Sequence, residues 1–250
     1  MSDFHIVRIA MLIPCPNCAQ KLRLPPNKGN LIVNCPKCNH KWLRLAGDII
    51  TEKIIRIKTK LEIARTIRRK ANPNYQSNSH EFYGVCMRSF DLNPPLSSDK
   101  VDAWEIQYKA TIPMEYRSFL EQIGNGGCGP FHGILPLEKW DDGMDFEKEL
   151  VLSQCPSQPC LLLEEYQDMK LWQLEIIGQD WQEDYDNEVW SPQFGTITIS
   201  TGIEDDIHLI LNGPLRGRIC SINEYTTPVI DPSLSFLDWY ENWLNYIIDI

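Results

Sequence analysis

Apolar residues recur at helical spacing over residues 48–71. The positions that form this stripe are Ile50, Ile54, Ile57, Leu61 and Ala64. Successive members lie three or four residues apart, so they share one face of a helix. Lysine and arginine dominate the remaining positions. We therefore predict a basic amphipathic helix over this segment.

Two further segments have the same spacing. Residues 112–124 contain Pro113, which suits a first helical turn, and end at Gly124, which favours a stop. Their apolar face consists of Tyr116, Phe119, Leu120 and Ile123. In the last segment of the chain, Ser235 is placed to cap a helix, with Asp238 in its first turn. The apolar positions of that helix are Leu237, Tyr240, Leu244 and Ile247.

Short β-branched or alternating runs predict strands. Residues 21–24 and 30–33 flank a turn rich in proline and asparagine, which indicates a hairpin. Residues 196–200, 207–211 and 218–222 predict three more strands. Helices beside a mostly antiparallel sheet make an α+β domain, here preceded by the small hairpin and the basic helix. No internal repeat is evident.

Charge divides the 250-residue chain into two parts. Residues 1–71 hold 15 Lys+Arg against 4 Asp+Glu, a net charge of +11. Residues 72–250 hold 9 against 30, a net charge of −21, so the total is −10. Such a change of sign is typical of two modules with different electrostatic roles. It argues against nucleic acid as a partner for the second part, because phosphates are bound by Lys and Arg.

Four of the nine cysteines form two Cys-x-x-Cys pairs: Cys15 with Cys18, and Cys35 with Cys38. Two thiolates on one tight turn can bind the same ion, and two such turns supply the four sulfurs of a tetrahedral zinc site. Four thiolates leave no open position, so we predict one structural Zn²⁺ rather than a catalytic one. Disulfides are less consistent with a chain that shows no export signal. A redox dithiol is normally placed at a helix start. We expect His40 to be a surface residue.

The stretch from Met11 to Trp42 resembles the short zinc-ribbon family found at the N-terminus of bacterial proteins. The resemblance rests on the two Cys-x-x-Cys pairs and on Trp42, four residues after the last cysteine.

The glycine-rich segment from Gly124 to Pro130 matches the GxGxxG pattern literally. A dinucleotide fingerprint follows a strand and opens a helix, whereas these glycines follow a predicted helix and lead into a proline. We therefore interpret them as a tight reversal that uses positive φ angles.

The helix and glycine turn, with Gly133-Ile-Leu-Pro-Leu137 after them, resemble the SUKH superfamily. The resemblance covers about residues 99–250 and continues through the three strands and the closing helix. This superfamily includes fungal regulators of cell-wall synthesis and bacterial immunity proteins. The resemblance implies an α+β fold and, for bacterial members, neutralisation of a cognate toxin, often a nuclease.

Carboxylates cluster in the predicted loops of this acidic part, interleaved with aromatic residues. A solvated acidic surface is one reading; a calcium loop lacks the required D-x-D-x-D-G spacing. The more specific interpretation is that these carboxylates form a surface complementary to a basic toxin, with the aromatic residues as anchors. The candidate partner-binding residues are Asp141, Asp142, Asp145, Asp180, Trp181, Glu183, Asp184, Tyr185, Asp186, Glu188, Glu204, Asp205 and Asp206.

An alternative function is nucleic-acid regulation through residues 1–71. The candidate phosphate-binding residues are Lys53, Arg56, Lys60, Arg68, Arg69 and Lys70. The predicted helix has no aromatic side chain to stack on bases, which weakens the single-strand case. Two other roles stay open, namely a solvated helix and a helix that docks on the acidic part of its own chain.

The acidic part shows no catalytic constellation, so we expect a non-enzymatic protein. A weak alternative is a Cys128/His132 nucleophile pair, and we expect Cys155 and Cys160 to be reduced thiols. No apolar stretch approaches the roughly 18 residues of a membrane span, so we expect a cytoplasmic protein without a membrane partner.

Four segments follow from these observations. We predict a zinc ribbon at residues 1–47, the basic helix at 48–71, a connecting segment at 72–98 and a SUKH-like domain at 99–250.

Overall fold

The protein is described here from a computed structural model. The structure describes residues 11–24, 30–44, 46–71, 90–141, 155–160, 162, 193–202, 205–223 and 226–249. Contacts divide the chain into two compact units, residues 1–53 and 54–250. The four segment boundaries predicted from the sequence stay predictions. Within the described part of the chain, no helix is long and apolar enough to cross a membrane.

The first unit contains two antiparallel hairpins. Their strands are β1 (Met11–Pro14), β2 (Lys21–Leu24), β3 (Leu31–Asn34) and β4 (Lys41–Arg44). The pairs are β1 with β2 and β3 with β4. The predicted hairpin of β2 with β3 is therefore wrong, because each strand pairs instead across its own Cys-x-x-Cys turn. The turn predicted between β2 and β3 lies, apart from Asn30, outside the described residues.

The inner faces of the two hairpins form one small apolar core. Alternate positions point inward, so Ile13, Leu22 and Val33 are buried together with Cys15 and Cys35. Half-buried residues complete this cluster: Cys18, Leu24, Leu31, Cys38 and Trp42. Five fully buried residues make a core too small to stabilise an independent fold by apolar burial alone.

The predicted basic helix is present as α1 (Ala46–Ala71). Its stripe of Ile50, Ile54, Ile57, Leu61 and Ala64 is buried, as the spacing predicts. The boundary between the two units falls inside this helix.

The second unit is built on a four-stranded antiparallel sheet. Its strands are β5 (Thr196–Thr201), β6 (Asp206–Ile210), β7 (Arg218–Asn223) and β8 (Thr226–Ser235), paired in that order. The first three correspond to predicted strands. Sequence analysis missed β8 because Pro228 and Pro232 interrupt its pattern.

Among its described residues this unit has three further helices: α2 (Ser98–Tyr108), α3 (Met114–Gln122) and α4 (Phe236–Asp249). The α+β class is thus confirmed. Helices α3 and α4 pack through aromatic side chains, with ring centroids 4.6 Å apart for Tyr116 and Phe236 and 4.9 Å for Phe119 and Tyr240. The Ser235 hydroxyl donates to Asp238 at 2.7 Å at the start of α4. Helix α2 was not predicted, since Val101 and Trp104 are its only two buried residues.

Candidate functional site

The four cysteines of the first unit lie together. Their Sγ atoms are all within 4.8 Å of one another. Two of the separations are 3.6 Å, between Cys15 and Cys38 and between Cys18 and Cys35. A disulfide requires about 2.05 Å, and all four thiols are free. A tetrahedral ion with bonds of about 2.3 Å to sulfur places its ligands about 3.8 Å apart. The cluster therefore has the size that a four-coordinate metal ion needs.

Each Cys-x-x-Cys turn is held by the same backbone hydrogen bonds. The amide of Cys15 donates to the carbonyl of Gln20, and the amide of Cys35 donates to that of His40, both at 2.9 Å. The turns also share a positive φ at equivalent positions, 55° at Ala19 and 57° at Asn39. These bonds bring both thiols of a turn to one side, where a single ion can bind them.

The two hairpins are copies of one unit. Residues 11–24 and 31–44 align without gaps, with the Cys-Pro-x-Cys pattern and one lysine repeated at corresponding places. Sequence analysis reported no internal repeat, and that reading is wrong. The repeat was missed because outside the Cys-Pro-x-Cys core and the shared lysine it conserves only apolar character. Comparing the chain with itself at an offset of the Cys15-to-Cys35 spacing would have found it.

The surroundings of the cluster give its thiols different pKa values. The side chain of Asn17 and the backbone near His40 lower the pKa of Cys38 to about 6. For Cys18 the backbone near Gln20 lowers the pKa, but burial and the three neighbouring thiols raise it to about 12. Binding an ion at all four sulfurs therefore requires that protons leave the less acidic thiols. Metal affinity must rise with pH.

Helix α1 docks on helix α4 within the second unit. Arg56 donates two hydrogen bonds to the Glu241 carboxylate, each of 2.8 Å, and Lys60 adds a third of 2.6 Å. Both cations lower the pKa of Glu241 against the effect of burial, which raises it. The predicted nucleic-acid residues Arg56 and Lys60 are therefore bound to a carboxylate of this chain, and Lys53 is buried. The side chains of Arg68, Arg69 and Lys70 lie outside the described part.

Apolar packing supports the same contact. Ala64, Phe90 and Cys128 form a buried cluster, against which Leu92 and Trp243 pack. Arg65 donates to the Phe90 carbonyl at 3.0 and 3.2 Å. Residues 90–97 belong to the predicted connecting segment, yet their first part is packed into the second unit. The open question of whether α1 docks on the acidic part is thus answered for residues 56–65.

Several amides of the glycine turn after α3 donate to carbonyls of the surrounding chain. The amide of Gly127 donates to the Ile134 carbonyl, and the amide of Cys128 donates to that of Asp91. Gly126 and Gly127 have φ angles of +84° and +108°, which confirms the predicted use of positive φ. A Cβ on Gly126 would lie 2.6 Å from the backbone nitrogen of Pro136. The turn is a tightly packed reversal.

Most candidate partner-binding carboxylates fall outside the described residues. The structure places Asp141 after the 3₁₀ turn Leu137–Lys139, and Asp205 and Asp206 at the start of β6, all half-buried. Burial and the nearby Asp205 raise the pKa of Asp206 to about 6. The remaining candidates stay predictions: Asp142, Asp145, Asp180, Trp181, Glu183, Asp184, Tyr185, Asp186, Glu188 and Glu204.

The Cys128/His132 alternative is contradicted by the structure. Cys128 is fully buried and disulfide-bonded, so it offers no thiolate nucleophile. Cys155 and Cys160 are free thiols, as predicted, and burial raises the pKa of Cys155 to about 12. His208 is buried in β6, where burial lowers its pKa to about 3, and its Nδ1 lies 3.1 Å from the Thr196 hydroxyl.

No protein-family model matches this chain, and neither a curated protein nor a solved structure matches it.

Proposed function

We propose that the chain is a non-enzymatic, immunity-type protein of the SUKH superfamily, which binds and neutralises a basic toxin. Its first unit is a zinc ribbon with one structural Zn²⁺. The observation that carries the binding role is the excess of carboxylates, a net charge of −21 confined to residues 72–250. Nuclease toxins have positive clefts for phosphate, and an acidic surface can occupy or block such a cleft.

Two features of the described residues support this assignment. Helix α3, the glycine turn, strands β5 to β7 and helix α4 follow one another in the order that the SUKH resemblance implies. In the glycine turn, the amides of Gly127 and Cys128 donate to carbonyls of the fold, and Cys128 itself is disulfide-bonded. The parts of this unit that most resemble catalytic motifs thus serve to stabilise the fold.

Zinc is the ion that fits the cluster best. Four sulfur donors select soft or borderline ions, and a closed tetrahedral site without an open position is typical of structural zinc. Free energies of about 10–16 kcal/mol are typical for zinc binding to small cysteine-rich modules. That range is enough to stabilise a unit with so small an apolar core.

Co-expression with toxins encoded beside this gene tests the binding role. We expect that one such toxin is lethal alone, is tolerated with this protein, and co-purifies with it. Absence of both protection and complex with every neighbouring toxin contradicts the proposal.

Charge reversal then locates the surface. Asp184→Lys with Asp186→Lys is expected to slow association and to weaken its salt dependence. The matched control reverses Asp91 and Asp99, two exposed carboxylates outside the candidate loops. Equal effects of the two variants would assign the interaction to net charge rather than to the proposed surface.

A further inference from the structure

The two hairpins of the first unit present an exposed face opposite their shared core. We call this the outer face and define it by its residues: Lys21, Arg23, Ile32, Asn34, Lys41 and Leu43, all exposed. Ile32 and Leu43 are direct cross-strand partners and are 79% and 59% exposed. Asn34 and Lys41 form the neighbouring pair. Contact of this aliphatic pair with water is unfavourable, and burying the pair against a partner would be favourable.

A groove of about 450 Å³ runs between β2 and β3. Its walls include Lys21 and Arg23 from one hairpin and Ile32 and Asn34 from the other, so it joins both parts of the outer face. The groove is lined by every residue of both strands, including the residues that point to the core and the residues that point to the outer face. Such lining shows that the strands face the groove with their edges. Among the described strands, β2 pairs with β1 and β3 with β4, so these two edges are open for pairing.

The charged side chains of the outer face are all cations, and this determines which partner it can bind. No aspartate or glutamate occurs between Phe4 and Gly47. The cations of the outer face therefore have no carboxylate within their own hairpins. The face attracts a partner that carries negative charge.

The outer face has no aromatic side chain of the kind that stacks on single-stranded nucleic acid. Trp42 alternates with Lys41 and Leu43 and points to the opposite side, where it packs in the core. No aromatic ring is therefore available on this face to stack on bases. An aliphatic pair and open strand edges instead match an extended peptide, whose main chain pairs with an edge and whose alternate side chains contact the face.

We propose that the outer face binds an extended acidic peptide segment of a partner protein by strand addition in the β2–β3 groove. Carboxylates of the segment pair with Lys21, Arg23 and Lys41. Only every second side chain of an added strand points to the outer face, so the apolar residues that contact Ile32 and Leu43 stand at the same alternate positions as those carboxylates. This site is distinct from the acidic surface of the second unit and does not depend on the toxin-binding proposal.

The probe for this site is an acetylated, amidated octapeptide in which valine and glutamate take turns at every second position, with threonine between them, so that both types share one face when extended. It is titrated into the ¹⁵N-labelled, zinc-loaded full chain. We expect saturable shifts of the backbone amides of β2 and β3. A second peptide, N-methylated at every other residue so that one edge cannot donate hydrogen bonds, is expected to bind about tenfold more weakly. Equal affinity for both peptides contradicts strand addition.

Substitutions test whether side chains of the outer face contribute to peptide binding. Lys21→Glu with Arg23→Glu, and separately Ile32→Ser, are each expected to weaken binding about tenfold. The matched control is Lys58→Glu with Lys100→Glu, which makes the same change of net charge on exposed side chains of the second unit. Unchanged affinity in the outer-face variants, or an equal loss in the control, overturns the proposal. So does tighter binding of a single-stranded or duplex oligonucleotide than of the peptide.

Discussion

The contact of α1 with α4 rests on a single carboxylate that binds two cations, and Glu241→Gln tests its contribution. The Glu241 side chain is 10% exposed, whereas Arg56 and Lys60 are 41% and 24% exposed. Breaking a fully buried ion pair costs about 3–5 kcal/mol, and an exposed pair contributes about 0–1 kcal/mol. The partly exposed cations place this triad between the two limits. We expect the variant to lose about 2 kcal/mol of the free energy of unfolding.

Urea unfolding of the full chain, followed by tryptophan fluorescence, measures this loss. The matched control is Glu62→Gln, which removes an exposed partner of Arg65 on the same helix. It is expected to cost less than about 0.5 kcal/mol. If the two variants lose equal stability, the buried triad is not what holds α1 in place.

The acid dependence provides a second check of the same triad. The folded-state pKa of Glu241 is lowered, so its contribution is present above the unfolded pKa of a glutamate and is lost as the pH falls through the folded value. The stability difference between wild type and Glu241→Gln should therefore shrink in acid. A difference that stays constant down to the lowest accessible pH would refute the electrostatic explanation.

Three further predictions concern the second unit. Asp206→Asn should raise the melting temperature at neutral pH, because the raised pKa of about 6 means that the charged form is disfavoured in the folded state. The gain should fade as the pH falls through that value, and a loss at neutral pH would contradict the argument. Gly126→Ala should cost about 2 kcal/mol or more in urea unfolding, since it meets both positive φ and a close backbone contact. Gly217→Ala, with positive φ but a nearest contact at 3.5 Å, should cost about 1 kcal/mol, and equal costs would refute the steric part.

The sequence was most informative where local chemistry determines the structure. The Cys-x-x-Cys spacing identified the four clustered thiols before any geometry was known. The stripe from Ile50 to Ala64 predicted both α1 and its buried face. In each case a short local pattern carries most of the information that the prediction needs.

The predictions failed where the structure depends on contacts with distant parts of the chain. Strand β2 has a plausible turn on both sides, and the sequence does not show that it pairs with β1 across the cysteines rather than with β3. The basic residues Arg56 and Lys60 have the composition of a phosphate-binding helix. Only the position of Glu241, far along the chain, shows that they bind a carboxylate instead. Helix α2 has too few apolar residues to produce a clear period.

The central claim for the first unit is that a metal ion, and not apolar packing, holds its two hairpins together. Zinc content per chain, measured by elemental analysis on wild type and on Cys35→Ser purified without chelator, tests this most directly. We expect about one zinc per wild-type chain and a marked loss in the variant. A wild-type protein that is folded in residues 11–44 yet contains far less than one equivalent of metal would contradict it.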